Sequence, residues 1–332
     1  MGTYKEIRGT HIVSVTSDPP SPVNGQMWYN STDKVVKGFT SNPAGTWSTS
    51  GAMNTGRRGG GSKGSQTSGI AVGGNIPPHT AKTELFNGSS WTEVNDLNQS
   101  RRGQGTCAVV NTAAIAFGGE QSPSAWYTLN ESWNGSSWTE VNDLNAGRVS
   151  IGAIGSSTAG LALGGVSGPP PTNPNYQKNE SWDGTSFTEI GDMNTGRYFS
   201  GATAGTQTSG LAWTNQADYA TNSESWNGSA WTATPSLNTA KIQDGGAGAD
   251  NTSAISFGGY TTGFSNIANT EQWNGSSWTE VNDLNTAVGY QFNGGSVTAA
   301  WSAGGLTGGS SNATATELWN SPTTSTVTFT VS

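Results

Sequence analysis

One segment of this sequence recurs along most of the chain at nearly regular intervals. At positions 131–139 it reads Glu-Ser-Trp-Asn-Gly-Ser-Ser-Trp-Thr, and related copies begin at Glu84, Glu180, Glu224 and Glu271. The second aromatic residue of each unit advances in steps of 44, 47, 49, 44 and 47 residues, falling at Trp47, Trp91, Trp138, Phe187, Trp231 and Trp278. A period in this range indicates a repeat protein, in which each unit buries its apolar surface against its neighbours.

Each unit contains signals for two β-hairpins. Asn-Gly or Asp-Gly stands between two aromatic-bearing runs, as at Asn134-Gly135, and predicts a type I′ turn with positive φ at both residues. A second hairpin, typified by residues 103–119, ends in a double glycine, and one unit departs with Trp213-Thr214-Asn215 at that place. Six inner hairpins are present without any sustained helical periodicity. We therefore predict an all-β, six-bladed β-propeller with four antiparallel strands per blade.

The last unit stops after Trp319-Asn320, where one outer strand is still missing. The strand around Trp47 and the alternating run at residues 325–331 are the two candidates to supply it. We favour Trp47 as the strand that closes the ring, with the C-terminal strand packed alongside, because open blade edges are prone to pair with other chains. The predicted organisation is an N-terminal arm at residues 1–45, followed by a propeller at 46–332 that includes the C-terminal strand.

The repeating features resemble those of a known family. The double glycine, the Glu-x-aromatic strand, the trailing Trp and the Arg before the next inner strand are similar to kelch repeats over about residues 46–320. The resemblance implies a kelch-like propeller. Some kelch-type proteins resemble galactose oxidase, whose copper centre needs several His and Tyr ligands. Here only His11 and His79 are present, so we expect no metal and no cofactor.

Arginine and glutamate recur in register with the repeat. Because an active site is a local exception to a repeat, we expect the recurring Arg and Glu to pair as part of the scaffold rather than to form a sialidase-like site. The arginines are Arg57, Arg58, Arg101, Arg102, Arg148 and Arg197, and the glutamates are Glu84, Glu131, Glu180, Glu224, Glu271 and Glu317. The recurring aspartates at 96, 143, 192 and 283 are expected to cap turns rather than to bind calcium. No catalytic residue is assigned, and we expect a protein that is not an enzyme.

The loops between the second and third strands of successive blades differ from one another. In a four-stranded antiparallel blade these loops emerge on one face of the propeller, and varied loops on a rigid scaffold are where binding usually resides. Aromatic side chains can stack on sugar rings, although they can equally fold back over the blade edges as packing. The candidate binding residues are Trp126, Tyr127, Tyr176, Tyr219, Tyr260 and Phe264.

The arm has a resemblance of its own. Residues 17–32, which contain Ser-Asp-Pro-Pro-Ser-Pro-Val-Asn-Gly-Gln-Met-Trp-Tyr-Asn, are similar to the anchor segments of virion proteins of tailed bacteriophages, especially marine phages and cyanophages. In those proteins such a segment often precedes kelch-like units. The resemblance implies an anchor that contacts other virion proteins. The candidate anchor residues are Pro19, Pro22, Trp28, Tyr29 and Asn30.

Charge and composition restrict the partners. A net charge of −8 argues against a nucleic-acid partner, and no apolar run is long enough for membrane insertion. The N-terminus lacks a signal peptide, and Cys107 is expected to be a buried, inert thiol. With the resemblance, we expect a phage virion structural protein, located on the particle surface in a tail or head fibre and made in the host cytoplasm. It would display a propeller for recognition of a host-surface glycan or protein. The alternatives are a capsid or tail decoration protein and a glycan-active hydrolase; the sequence assigns no oligomeric state.

Overall fold

The computed structural model describes residues 12–23, 25–42, 45–122, 125–167, 177–198, 202–215, 220–308, 311–321 and 323–329. These residues contain strands, turns and bends but no helix. None of the described residues form a helix that is long and apolar enough to span a bilayer. By its internal contacts the chain divides into two compact units, Thr46–Asn320 and a smaller unit of Met1–Gly45 with Ser321–Ser332.

The first four strands are β1 (Val13–Val15), β2 (Met27–Asn30), β3 (Val35–Asn42) and β4 (Thr46–Ser50). The first three belong to the smaller unit, and β4 begins the larger unit. Blades one and two contain β5 (Gly61–Ser65), β6 (Ser68–Val72), β7 (Thr83–Phe86), β8 (Trp91–Val94), β9 (Gly105–Val110), β10 (Ala113–Phe117), β11 (Glu120–Ser122), β12 (Ala125–Trp126), β13 (Asn130–Trp133) and β14 (Trp138–Val141). Blades three and four contain β15 (Gly152–Gly155), β16 (Gly160–Leu163), β17 (Asn179–Trp182), β18 (Phe187–Ile190), β19 (Thr203–Thr206), β20 (Ser209–Asn215), β21 (Ala220–Trp226) and β22 (Trp231–Thr234). The remaining strands are β23 (Gly245–Asp250), β24 (Ser253–Phe257), β25 (Thr270–Trp273), β26 (Trp278–Val281), β27 (Phe292–Gly295), β28 (Ala300–Ala303), β29 (Thr316–Asn320) and β30 (Thr323–Phe329).

The larger unit is a six-bladed β-propeller, as the repeat predicts. Its six four-stranded sheets are antiparallel, and the short β11–β12 pair extends the loop of blade two. The innermost strand of each blade contacts the innermost strand of the next, and β27 of blade six contacts β5 of blade one. The ring is therefore closed, and the innermost strands surround its central axis.

Closure is achieved by the strand that contains Trp47. In blade six, β4 pairs antiparallel with β29, and Trp47 lies opposite Trp319. The prediction that the C-terminal strand packs in the propeller is wrong, because β30 pairs with β3 in the smaller unit. With β4 in place blade six already has four strands, whereas the hairpin of β2 and β3 has an edge that β30 covers.

Four of the six recurring arginines form buried ion pairs with recurring glutamates, as predicted. Arg148 Nη2 lies 2.5 Å from Glu180 Oε1, and both side chains are almost completely buried. Equivalent pairs join Arg57 to Glu84, Arg101 to Glu131 and Arg197 to Glu224. The second carboxylate oxygen of Glu180 accepts hydrogen bonds from the backbone N and side-chain Nδ2 of Asn145, on the connection from blade two. Each such glutamate thus joins its own blade to the preceding one.

Three blades depart from the repeat. In blade five Lys241 occupies the place of the arginine, and its Nζ donates to Asn269 Oδ1 at 3.0 Å. In blade six Val288 occupies the place of the arginine, and Glu317 Oε1 accepts a hydrogen bond from the backbone N of Thr286 at 3.0 Å. In blade four the double glycine is replaced by a sequence that begins with Trp213. The indole of Trp213 is fully buried and donates to Asp244 Oδ2 at 2.9 Å. Where blade four loses the double glycine, a buried tryptophan therefore packs in the interior and forms a hydrogen bond with Asp244.

Two local predictions need correction. The Asn-Gly turns are not type I′, because only their glycines have positive φ; Gly88 has a φ of +98°, while Asn87 Oδ1 accepts hydrogen bonds from the backbone N–H of Ser89 and Ser90. Three of the four recurring aspartates, Asp96, Asp143 and Asp283, accept a hydrogen bond from the start of the third strand rather than capping their own turn. Asp96 Oδ1, for example, accepts from the backbone N of Thr83, 13 residues earlier, at the start of the third strand. They therefore connect the third strand to the loop that leaves the blade.

Candidate functional site

The two ends of the ring differ. The loop face carries the loops between the second and third strands of each blade and the connections that lead into each first strand. The turn face carries the short turns between the first and second strands. A cavity of about 1060 Å³ opens on the loop face, and residues of blades one, two, three, five and six are among those that line it. This loop-face cavity contains the strongest candidate binding site.

The wall of the loop-face cavity is built from a repeated backbone with varied side chains. Just beyond each inner hairpin, one residue from each side of the hairpin forms an isolated antiparallel bridge. These bridges are Arg58–Asn75, Arg102–Glu120, Val149–Val166, Ile242–Tyr260 and Gly289–Leu306. All of their members except Gly289 line the cavity. The regular scaffold therefore holds a set of different side chains at equivalent positions around the mouth.

A left-handed residue follows the first member of each of these bridges. Gly59 and Gly103 have φ of +61° and +63°, as glycine readily permits. The equivalent residues of blades three, five and six are Ser150, Gln243 and Tyr290, with φ of +55°, +55° and +57°. All five line the loop-face cavity. Side chains held in this region of φ carry a backbone cost, and such residues concentrate at functional sites.

One side of the loop-face cavity is polar and charged. Arg58 Nη1 donates to Asn312 Oδ1 at 2.6 Å, and Asn312 Nδ2 donates to the carbonyl oxygen of Asn75 at 2.9 Å. Arg102 Nη2 lies 2.6 Å from Glu120 Oε1, whose side chain is buried. Glu120 balances the charge of Arg102, whereas Arg58 forms its hydrogen bond with the neutral amide of Asn312. This side of the cavity therefore carries a net positive charge.

The facing part of the wall is apolar and aromatic. Blades three, five and six contribute Val149, Val166, Ile242 and Leu306. Blade five adds Tyr260, whose ring meets that of Tyr290 edge-on at a centroid distance of 5.3 Å. The cavity therefore offers a cationic, hydrogen-bonding side and an apolar side to the same ligand.

Tyr260 is 5% exposed, and its hydroxyl has no hydrogen-bond partner among the described residues. Burial, and secondarily Tyr290, raises the pKa of Tyr260 to about 12, although Arg58 acts in the opposite direction. The phenol therefore stays neutral near pH 7 and retains its proton as a hydrogen-bond donor.

Phe264 stands at the rim of the same cavity. Its side chain is 78% exposed, the largest value among the large apolar residues that are exposed in the described chain. It also has a φ of +56°, within a turn in which its backbone N donates to the carbonyl of Thr261 at 2.9 Å. An exposed aromatic ring in a left-handed conformation has no evident structural benefit, which favours a binding role.

The predicted binding residues divide into three groups. Tyr260 and Phe264 line the loop-face cavity. Trp126 and Tyr127 do not line it; both are half-buried on the extended loop of blade two, where Tyr127 Oη donates to Gln121 Oε1 at 2.7 Å. Tyr176 and Tyr219 lie outside the described residues. The structure thus brings two of the described aromatic residues to the cavity and places the other two elsewhere.

Sequence reasoning missed the charged part of the wall. Arg58 and Arg102 were grouped with the recurring arginines, but each directly follows a buried arginine and points to a different environment. A signal for this difference is present in the sequence. The buried position holds Arg in four blades, Lys in blade five and Val in blade six, whereas the position after it holds Arg, Arg, Val, Tyr, Ile and Gly. The greater divergence of the second position marks the variable wall of the cavity.

In the smaller unit, the candidate anchor residues Trp28 and Asn30 form hydrogen bonds within the unit, to the side chain of Asp18. Both are buried and donate to Asp18 Oδ1, at 3.0 and 2.8 Å, and Lys37 Nζ lies 2.9 Å from Asp18 Oδ2. Hydrogen bonds from Asn30, Lys37 and Trp28, in that order, lower the pKa of Asp18 to about 2. Pro19, Pro22 and Tyr29, the other candidate anchor residues, are half-buried.

The smaller unit also has an exposed apolar face. Met27 and Phe329 are 38% and 46% exposed, and a Cβ on Gly38 would lie 2.9 Å from the ring of Phe329 and 3.7 Å from Met27. Met27 and Phe329 are therefore neighbours across a glycine that leaves room for both. The strand register places Tyr29 and Val36 on the same face of the sheet.

Comparisons with known proteins show the fold of this chain but assign it to no family. No protein-family model and no curated protein matches the chain. Among solved structures, one titled "Structure of YjhT" is similar, with a TM-score of 0.66 and 11% sequence identity over 82% of this chain and 99% of that chain. Grouped His, Cys, Asp or Glu side chains that could hold a metal ion are not found among the described residues. The chain is thus a β-propeller, a fold that supports a binding or recognition module.

Proposed function

We propose that this protein is a non-catalytic recognition module whose loop-face cavity binds part of a host-surface glycan. The observation that carries the proposal is Phe264, an exposed and left-handed aromatic residue at the rim of a cavity of about 1060 Å³. Sugars combine apolar C–H faces with a dense set of hydroxyls. A ring at the rim and polar groups inside offer both kinds of contact.

The interior of the cavity supplies the polar contacts. Arg58 and the Tyr260 hydroxyl are hydrogen-bond donors, and Asn75 Oδ1 is a buried acceptor with no partner among the described residues. Leaving a buried polar group unpaired costs about 1–3 kcal/mol. A hydroxyl-rich ligand that pairs with Tyr260 and Asn75 recovers that cost, whereas a purely apolar ligand does not. This favours a glycan, and a protein loop rich in hydroxyl groups is the second candidate.

The loop-face cavity is a poor site for glycan hydrolysis. Glu120 is the only carboxylate among its described lining residues, and it is paired with Arg102. Glycoside hydrolysis generally requires two carboxylates on either side of the bond that breaks. A tyrosine nucleophile would have to be Tyr198, Tyr260 or Tyr290, and burial raises the pKa of Tyr260 to about 12. A non-enzymatic role therefore fits this site better than a glycan-active hydrolase.

A mutation of Phe264 tests the glycan proposal. On an array of surface glycans we expect the wild-type protein to bind a restricted set, and Phe264→Ala to weaken that binding about fivefold to tenfold. The loss of one stacking contact of about 1–1.4 kcal/mol corresponds to this factor. Because Phe264 is exposed, the thermal midpoint should not fall.

The matched control is Val109→Ala, which truncates another exposed apolar side chain, on the turn face. It should bind as the wild type does. Absence of any glycan binding by the wild-type protein, or equal binding by the Phe264 variant, would contradict the proposal.

We further propose that the propeller is displayed on a phage particle through the smaller unit. The similarity of residues 17–32 to phage anchor segments and the exposed apolar face around Met27 and Phe329 support this role. The half-buried Tyr29 would contribute to that face. The buried Trp28 and Asn30 would act indirectly, by maintaining the sheet through Asp18.

Mass spectrometry of purified particles tests the display proposal. We expect peptides of this chain in wild-type particles and at least tenfold less of the chain after Met27→Ser with Phe329→Ser. Exposed Val110→Ser, on the larger unit, is the control and should leave incorporation unchanged. Absence of the chain from purified virions would exclude the proposal. If it is present but glycan binding fails, a decoration role with contacts inside the particle becomes the better explanation.

A further inference from the structure

A second cavity, of about 690 Å³, opens on the opposite end of the ring. This turn-face cavity is surrounded by the turns that connect the first and second strands of the blades. Its described lining consists of Gly, Ala, Ser, Thr, Gln, one Val and a single charged residue, Lys63. A cavity with small, neutral walls and one cation has an unusual charge pattern, because no carboxylate is among its described lining residues.

Lys63 extends from the first blade toward the far side of the ring. It lies on β5 of blade one, and its Nζ donates to the carbonyl oxygen of Thr203 at 3.3 Å. Thr203 belongs to β19 of blade four, which stands opposite blade one in a ring of six. Lys63 also lines the narrow space of about 30 Å³ that lies inside the ring. Lys63 thus lines both the turn-face cavity and the narrow space inside the ring.

Among the described residues, no carboxylate balances the positive charge of Lys63. An ammonium group has three N–H donors, and the hydrogen bond to Thr203 uses one of them. The described residues place no carboxylate in ion-pair contact with Nζ. Burial lowers the pKa of Lys63 to about 8, although Cys107 opposes this shift. Burial raises the pKa of the Cys107 thiol to about 12, so this neighbour stays neutral near pH 7 and supplies no counter-charge.

We propose that the turn-face cavity is a binding site for a small organic monocarboxylate, whose carboxylate group forms an ion pair with Lys63. A partly buried cation without a counter-charge is unfavourable, and one bound carboxylate removes that imbalance. One ammonium group matches one negative charge. A phosphate dianion would bring a second negative charge for which the lining holds no second cation. The Gly and Ala walls leave room for an apolar body attached to the carboxylate.

The proposed site has a defined pH dependence. Binding requires protonated Lys63, so the affinity should be constant well below pH 8 and fall tenfold for each pH unit above it. The carboxylate should in turn raise the pKa of Lys63. Among the described residues, Cys107 is the titratable group that contributes to the pKa of Lys63, and it does not ionise until about pH 12. The decline between pH 8 and 10 therefore reports on Lys63.

The experiment uses benzoate as the probe and calorimetry of the full chain at pH 6.5, 8 and 9.5. We expect millimolar or tighter binding at pH 6.5 and at least a tenfold loss at pH 9.5. Lys63→Met should abolish binding, Lys63→Arg should retain it, and the exposed Lys82→Met is the matched control that should bind as the wild type does. Unchanged binding by Lys63→Met, or no pH dependence, would overturn the proposal. Inorganic phosphate that binds as tightly as benzoate at pH 8, where phosphate is mostly the dianion, would overturn the assignment of a carboxylate.

A direct titration keeps the test decisive if Lys63→Met does not fold. NMR of the wild-type protein with ¹³C-labelled lysine follows the Cε resonance of Lys63 against pH. Saturating benzoate should raise the midpoint from about 8 by at least one pH unit, which corresponds to tenfold tighter binding to the protonated form. An unchanged midpoint would refute the ion pair.

Discussion

Replacing Arg148 by valine is expected to lower the free energy of unfolding by about 3–5 kcal/mol, the cost of removing one partner from a buried ion pair. Arg148 and Glu180 are nearly inaccessible to solvent, and the arginine also donates to the carbonyl oxygens of Gly164 and Lys178. Without Arg148, the remaining described hydrogen-bond donors to the Glu180 carboxylate are the uncharged backbone N and side-chain Nδ2 of Asn145. Burial lowers the pKa of Arg148, and the carboxylate of Glu180 opposes that shift, so the carboxylate favours the charged form of the arginine.

Blade six shows why the expected loss is specific to the blades that have arginine. There valine is the native residue, and Glu317 Oε1 accepts a hydrogen bond from the backbone N of Thr286. Glu180 Oε1 is instead paired with the guanidinium of Arg148. Adding Glu180→Gln to Arg148→Val should recover a large part of the loss, because the amide carries no charge.

Urea unfolding followed by tryptophan fluorescence measures these effects. Lys178→Ala is the matched control, since it removes a cation from exposed contacts with Glu189 and Asp192, at 4.0 and 3.6 Å. Its cost should stay below about 1 kcal/mol. A loss for Arg148→Val as small as that of the control would show that the buried pairs do not stabilise the propeller.

Trp47→Ala is expected to lower the free energy of unfolding by about 3–5 kcal/mol, as for other large buried aromatic residues. Trp47 is 6% exposed and lies on β4, the strand that joins the N-terminal part of the propeller to its last blade. Its ring packs on Phe257 at a centroid distance of 4.9 Å and on Trp319 at 5.5 Å. Because Phe257 belongs to blade five, the truncation weakens both the closing sheet and its contact with the neighbouring blade.

The matched control for ring closure is Trp47→Phe. Phenylalanine is the native residue at the equivalent position of blade three, where Phe187 packs on Phe117 at a centroid distance of 5.3 Å. This variant should therefore lose clearly less stability than Trp47→Ala when both are unfolded in urea. Equal losses would indicate that the indole matters for a reason other than packing, and a loss below about 1 kcal/mol for alanine would contradict the role of β4 in closure.

Prediction from the sequence succeeded where the chain repeats. The six blades and the pairing of Arg148 with Glu180 follow from residues that recur at a constant spacing, so one correct blade implies the others. It failed where the chain departs from its repeat. The C-terminal strand has the alternation of any half-buried strand, and nothing in that pattern distinguishes β3 from an edge of the propeller as its partner.

The candidate sites show the same division. Tyr260, Phe264, Trp126 and Tyr127 are all aromatic residues in variable loops, but only the first two line the loop-face cavity. Loop length and aromatic content do not specify the direction of a side chain, which depends on the bridge at Ile242 and on the local turn.

The sequence by itself determined the architecture of this protein, because turn residues, strand alternation and a constant period are local properties that every unit repeats. Only the tertiary structure decided which side chains meet across the axis of the ring. Lys63 of blade one reaches the carbonyl oxygen of Thr203 of blade four, 140 residues away. This contact exists because the closed ring places opposite blades around one axis. The distance across that axis is a property of the whole ring, and no local pattern contains it.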